Sequence, residues 1–133
     1  MKRAFPFIVA LLALLGMLVA APTVQAAPSP FTGLWISTDL DGSTQHLMVS
    51  GGTDVHVTYV DDFGTVCVNA GASSTVFKGS STGTVSGNTL TATFVSARCG
   101  DTWLSGTVGT TWVWTYDPST DTIFDGVVTW HRP

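Results

Sequence analysis

The stretch "QHLMVSGGTDVHVTYV", Gln45 to Val60, decides how this chain folds. In its first half Leu47 and Val49 alternate with His46 and Met48. In its second half Val55, Val57 and Tyr59 alternate with His56 and Thr58. Successive side chains of a strand point to opposite faces, so each half reads as a strand with one apolar face. The glycines between them set the pairing. A two-residue turn at Gly51-Gly52 would lay Leu47 on the same face as His56. A three-residue loop, Gly51-Gly52-Thr53, pairs Leu47 with Val57 and Val49 with Val55, and one face becomes apolar throughout. A slip of one residue moves every side chain to the other face, so the three-residue loop is the expected one.

Outward from this hairpin the same texture continues. Thr, Ser, Val and Gly dominate, and no amphipathic helix is legible after residue 30. Runs favouring strands fall at 33–38, 43–50, 54–60, 65–69, 75–85, 89–98, 107–116 and 122–131, each ended by Gly, Asn, Asp or Pro. Turns this short join sequence neighbours antiparallel, which makes a meander. Around Gly87-Asn88 a two-residue turn pairs Val85 with Leu90 and sets Phe94 against a row of Gly79, Ser81 and Gly83. Large against small is how a narrow barrel fills its interior. Eight short strands leave two open edges, and closure removes both. The expected fold is therefore all-β: a small antiparallel meander barrel of about eight strands with no significant helix, a β-sandwich being the alternative.

The first 26 residues stand apart. Lys2 and Arg3 precede the apolar run Phe7 to Ala20, and Val24-Gln25-Ala26 fits the cleavage pattern of a secretory signal. The run is short for a membrane span. The expectation is a signal peptide over 1–26, a single β domain over 27–133, and a secreted or periplasmic protein with no membrane insertion after cleavage. That domain has nine Asp, no Glu, and only Lys78, Arg98 and Arg132 as cations, a net charge of −6 with His neutral. So acidic a chain has little with which to neutralise phosphates, which argues against nucleic acid and anionic lipid as partners. Cys67 and Cys99, two cysteines in an exported chain, read as one disulfide.

At the ends of the domain, "FTGLW" (Phe31 to Trp35) and "TWHRP" (Thr129 to Pro133) place a Gly-x-Trp in the first strand and an Arg after the last. This resembles the calycin superfamily of lipocalin-like barrels. The resemblance implies that Trp35 plugs one barrel end, that Arg132 packs across its ring, and that Gly33 allows the close approach. The chain is shorter than lipocalins and lacks their C-terminal helix. The segments "STDLDGSTQHL" and "YDPSTDT" also resemble small exported bacterial proteins without an assigned function.

Trp112, Trp114 and Tyr116 alternate along one strand and share a face, and a turn at "DPST" would bring Phe124 opposite Trp114. Facing outward they would form a platform for sugar rings; facing inward they are core. The other face offers only Val113 and Ile123 among threonines, which favours core. If the barrel is partly open, Tyr59, Phe94, Trp112, Trp114 and Tyr116 are the candidate lining of an apolar ligand cavity, with Trp35 beside them. "GSSTG", Gly79 to Gly83, matches the Gly-x-Ser-x-Gly of serine hydrolases but lacks the strand–turn–helix setting that exposes such a serine. His46 and His56 share the outer face, too few ligands for zinc. The aspartates cluster at turns, where they accept backbone hydrogen bonds, and "DLDGST" lacks the spacing of a calcium loop. Asp61 and Asp62, adjacent on a strand, would point to opposite faces and make a poor acid–base pair.

No catalytic constellation, cofactor motif or metal set emerges. The leading expectation is a non-enzymatic barrel that binds a small apolar ligand or a macromolecule such as a glycan or protein. The alternatives are a structural envelope protein without a soluble ligand, a carbohydrate-binding module and a protease inhibitor.

Overall fold

A computed structural model describes residues 27–133; the expected signal peptide lies outside the described residues. The chain forms β1 (Gly33–Thr38), β2 (Thr44–Gly51), β3 (Asp54–Asp61), α1 (Thr65–Asn69), β4 (Phe77–Ser86), β5 (Thr89–Cys99), β6 (Thr102–Trp103), β7 (Thr111–Asp117), β8 (Thr122–Phe124) and β9 (Thr129–His131). Every pairing is antiparallel, and the sheet runs β4-β3-β2-β1-β9-β8-β7-β5, closed by β4 against β5, with β6 as an extra strand on β5. This is a closed eight-stranded barrel of meander order. Closure excludes the sandwich. The seam between the first and last strands is a single pair, Ile36 with His131.

The decisive hairpin keeps its faces and changes its register. Leu47 pairs with Tyr59, Val49 with Val57 and Gly51 with Val55, so the loop is Gly52-Thr53-Asp54. The slide of two residues preserves which side chains point inward, and Leu47, Val49, Val55, Val57 and Tyr59 are all buried. Gly51 is the reason. At φ +110° it occupies backbone space that L side chains avoid, and a Cβ there would collide with the Asp54 carbonyl. Glycine extends the strand by one residue before the chain turns.

The Gly87-Asn88 turn pairs Val85 with Leu90, as expected, and Phe94 lies opposite Ser81. A Cβ added to Gly79 would run into the Phe94 ring, so the small residue makes room for the large one. Beyond Phe94 the strand carries a bulge: Ser81 pairs with Phe94 but Ser80 with Ser96, leaving Val95 extra and exposed. The extra residue resets the alternation, so Leu90, Ala92 and Phe94 point inward before it and Ala97 and Cys99 after it.

Three expectations are corrected. Residues 65–69 form a helix, not a strand. β3 and β4 already pair directly, Asp61 with Phe77, so the chain between them loops out of the sheet. Its backbone must satisfy itself, through bonds such as Ala70 N to Val66 O (3.0 Å) and Ala72 N to Cys67 O (3.1 Å). Residues 122–131 are two strands, because Asp125-Gly126 turns the chain and pairs Ile123 with Trp130. Asp125 Oδ1 accepts from the N–H groups of Val127 and Val128 (both 2.8 Å), and Gly126 sits at φ +98°. Finally, Phe124 lies opposite Thr115, not Trp114, while Tyr116 pairs with Ile123. That one-residue difference exposes Phe124 (47%) and buries Ile123 (1%).

Cys67 and Cys99 are joined in a disulfide that ties α1 to the end of β5. Among the described residues no helix is long and apolar enough to cross a membrane.

A candidate ligand site at the open barrel end

The two ends of the barrel differ. At one end lie the β2–β3, β4–β5 and β7–β8 turns and both termini of the domain. Trp35 is fully buried there, its Nε1 donating to the Phe31 carbonyl at 2.7 Å. The Arg132 guanidinium carbon lies 4.0 Å from the centre of the Trp35 ring. Arg132 also donates to the carbonyls of Thr32 (3.1 Å) and Pro30 (2.8 Å), and its Nε lies 3.1 Å from Asp121 Oδ2. A Cβ on Gly33, whose φ is +123°, would lie 3.0 Å from the guanidinium. Tyr116 closes the group, edge-on to Phe31 and Trp35 with ring centres 6.0 and 6.4 Å away. This end is sealed by aromatic packing and a latch from the last residues to the first.

At the other end the β1–β2 loop, the α1 excursion, the β5–β7 connection and the β8–β9 turn surround a cavity of about 380 Å³. Its wall is aromatic: Tyr59, Phe77 and Trp112, with Val66, Val127 and Val128 toward the rim. Tyr59 meets Phe77 and Trp112 edge-to-face at 5.6 and 5.2 Å. The polar lining is Asp39, Gln45, Asp61 and Asp125 with Thr65, Thr107 and Thr110.

These groups are held by the sheet. Gln45 continues the inward parity of Leu47 and Val49, and Asp61 that of Val57 and Tyr59; the two are cross-strand partners. Both are buried, 5% and 6% exposed. Gln45 Oε1 accepts from the Ser37 hydroxyl at 2.8 Å. Asp61 Oδ1 accepts from the Ser43 hydroxyl and the Phe63 N–H, both at 3.0 Å, and the Tyr59 phenol also hydrogen-bonds to the Asp61 carboxylate. Asp125 Oδ2 accepts from Trp130 Nε1 at 3.0 Å. Burial and the neighbouring charges of Asp61, Asp39 and Asp125 push the Tyr59 phenol well above its ordinary pKa, so it stays protonated.

The five candidate lining residues divide between the two ends. Tyr59 and Trp112 line the cavity, and Phe94 packs beneath it, 5.0 Å from Trp112 and 5.9 Å from Phe77. Trp114 is fully buried in the middle of the core, and Tyr116 belongs to the sealed end. The face of Trp112, Trp114 and Tyr116 points inward and offers no outer platform for a sugar. Phe77, Gln45 and the three aspartates were not among the expected lining residues. Inward parity marks Gln45 and Asp61, polar side chains at the ends of apolar faces.

Ser81 faces the core opposite Phe94 and is 3% exposed, without a histidine beside it. His46 and His56 lie on the outer face, paired across the β2–β3 ladder with Val60 and Ser50. Asp61 points into the cavity while Asp62 is exposed. Among the described residues no group of three His, Cys, Asp or Glu side chains is arranged to hold a metal ion. Searches with the chain match no protein-family model, no curated protein and no solved structure.

Proposed function

We propose that this barrel is a binding domain that takes a small, largely apolar ligand into the cavity at its open end. One observation carries the reading: a cavity of about 380 Å³ walled by Tyr59, Phe77 and Trp112, with a few polar groups converging on it. Ligand sites of small molecules fall in the range of roughly 300–1,000 Å³ and combine an apolar wall with sparse, fixed polar groups. The sealed opposite end supports the same reading, since it leaves one mouth for entry. The disulfide is compatible with an exported protein working outside the cell or in the periplasm.

The test is calorimetric titration with small aromatic probes, with Trp fluorescence as a second signal. A variant that fills the mouth, Val128→Trp, should abolish binding while melting within a few degrees of the parent. Equal binding by the filled variant would remove the cavity from the function.

A further inference from the structure

We infer that the ligand of this cavity is a monocation, a protonated amine carried on an apolar, ring-sized body. The inference rests on the reading of the cavity as a ligand site and names the chemistry of its occupant.

The charge of the lining is one-sided. Asp39, Asp61 and Asp125 all face the cavity, and among the described residues no Lys, Arg or His does. The cations of the domain are elsewhere: Lys78 and Arg98 are exposed cross-strand partners on the outer face, and Arg132 is engaged with Asp121 at the sealed end. The negative potential at the mouth is therefore uncompensated, and apolar walls strengthen it by keeping water thin.

Asp61 points to the same conclusion independently. A carboxylate 6% exposed is costly unless its oxygens are paired. Oδ1 takes two donors and the Tyr59 phenol adds another hydrogen bond, which leaves about one of the carboxylate's roughly four acceptor sites open where Asp61 lines the cavity. An N–H donor on the ligand would complete it, and the electron-rich rings of Tyr59 and Trp112 suit the same cation. A hard metal ion fits poorly, because the carboxylates do not converge as a ligand set. An organic cation needs only one close carboxylate, the field of the others and aromatic walls.

Three probes of matched size separate charge from shape: phenethylammonium, phenethyl alcohol and hydrocinnamate, titrated near neutral pH into the oxidised protein. The expected order is ammonium tighter than alcohol by about tenfold, with no detectable carboxylate binding. That preference should shrink at high salt. Asp61→Asn should cut the ammonium affinity by about tenfold and the alcohol affinity by much less, so that the ammonium-to-alcohol ratio falls. Should Asp61→Asn fail to fold, Asp39→Asn should lower the ammonium-to-alcohol ratio in the same direction. An alcohol that binds as tightly as the ammonium, or a ratio insensitive to both variants, would overturn the charge inference and leave the apolar cavity standing. No binding by any probe would overturn both. Displacement of the ammonium by calcium chloride would show a metal site and overturn the inference as well.

Discussion

Three tryptophans, Trp35, Trp114 and Trp130, are fully buried, and they differ in one atom each. The indole N–H of Trp35 reaches the Phe31 carbonyl, and that of Trp130 reaches Asp125, but Trp114 Nε1 has no partner among the described residues. A buried donor left unpaired costs about 1–3 kcal/mol, which the packing of the ring must offset. Replacing each by Phe removes similar volume, so the hydrogen bond decides the difference. We predict that Trp114→Phe destabilises by about 1–2 kcal/mol less than Trp130→Phe in urea melts. The opposite order would reveal a hidden partner for the Trp114 N–H. The inward direction of Trp114 was legible, because the other face of its strand is mostly threonine. The missing partner was not, since it depends on what the far side of the barrel presents.

Among the elements, α1 is the one whose nature its residues conceal. "TVCVN" reads as a strand by propensity, yet propensity in β-structure reflects packing against partner strands, and here there are none. The disulfide from Cys67 to Cys99 anchors this helix at the mouth, where Thr65 and Val66 line the cavity. Closing a loop with a sequence separation of 32 should stabilise by about 3–4 kcal/mol through the unfolded chain. Reduction, or the double change Cys67→Ala with Cys99→Ala, should therefore lower stability by about that amount in urea. It should also weaken probe binding, because α1 loses its tether. Binding unchanged in the reduced protein would mean that the strands alone hold the site. The split of residues 122–131 had a signal that the run of β-favouring residues masks: Asp125-Gly126 is a hairpin turn pair.

On the scale of the whole molecule, stability should depend on pH at the alkaline end. The Tyr59 phenol is raised above its unfolded value near 10 by burial first and by Asp61, Asp39 and Asp125 after it. The folded state then holds the phenolic proton more tightly than the unfolded chain. Its contribution is fully present below about pH 10 and is lost as the pH rises beyond it. Thermal melts stepped upward from pH 9 should fall in midpoint above about pH 10, and Tyr59→Phe should flatten that fall. An identical slope in the variant would place the alkaline sensitivity elsewhere. The barrel as a whole was readable because strand alternation is a local property with a period of two: it assigned Leu47, Val49, Val55, Val57 and Tyr59 to the interior. That parity survived a register slide of two residues. The expected count of eight strands held only because a lost strand, 65–69, and a split one, 122–131, offset each other. By itself, then, the sequence determined the class of fold, the inward faces and the disulfide partners. The tertiary structure decided the registers, the helix at the mouth, which end is sealed and which carboxylates meet. Those depend on glycine backbone geometry, on whether an edge is free to pair, and on closure, which brings together residues that no local pattern relates.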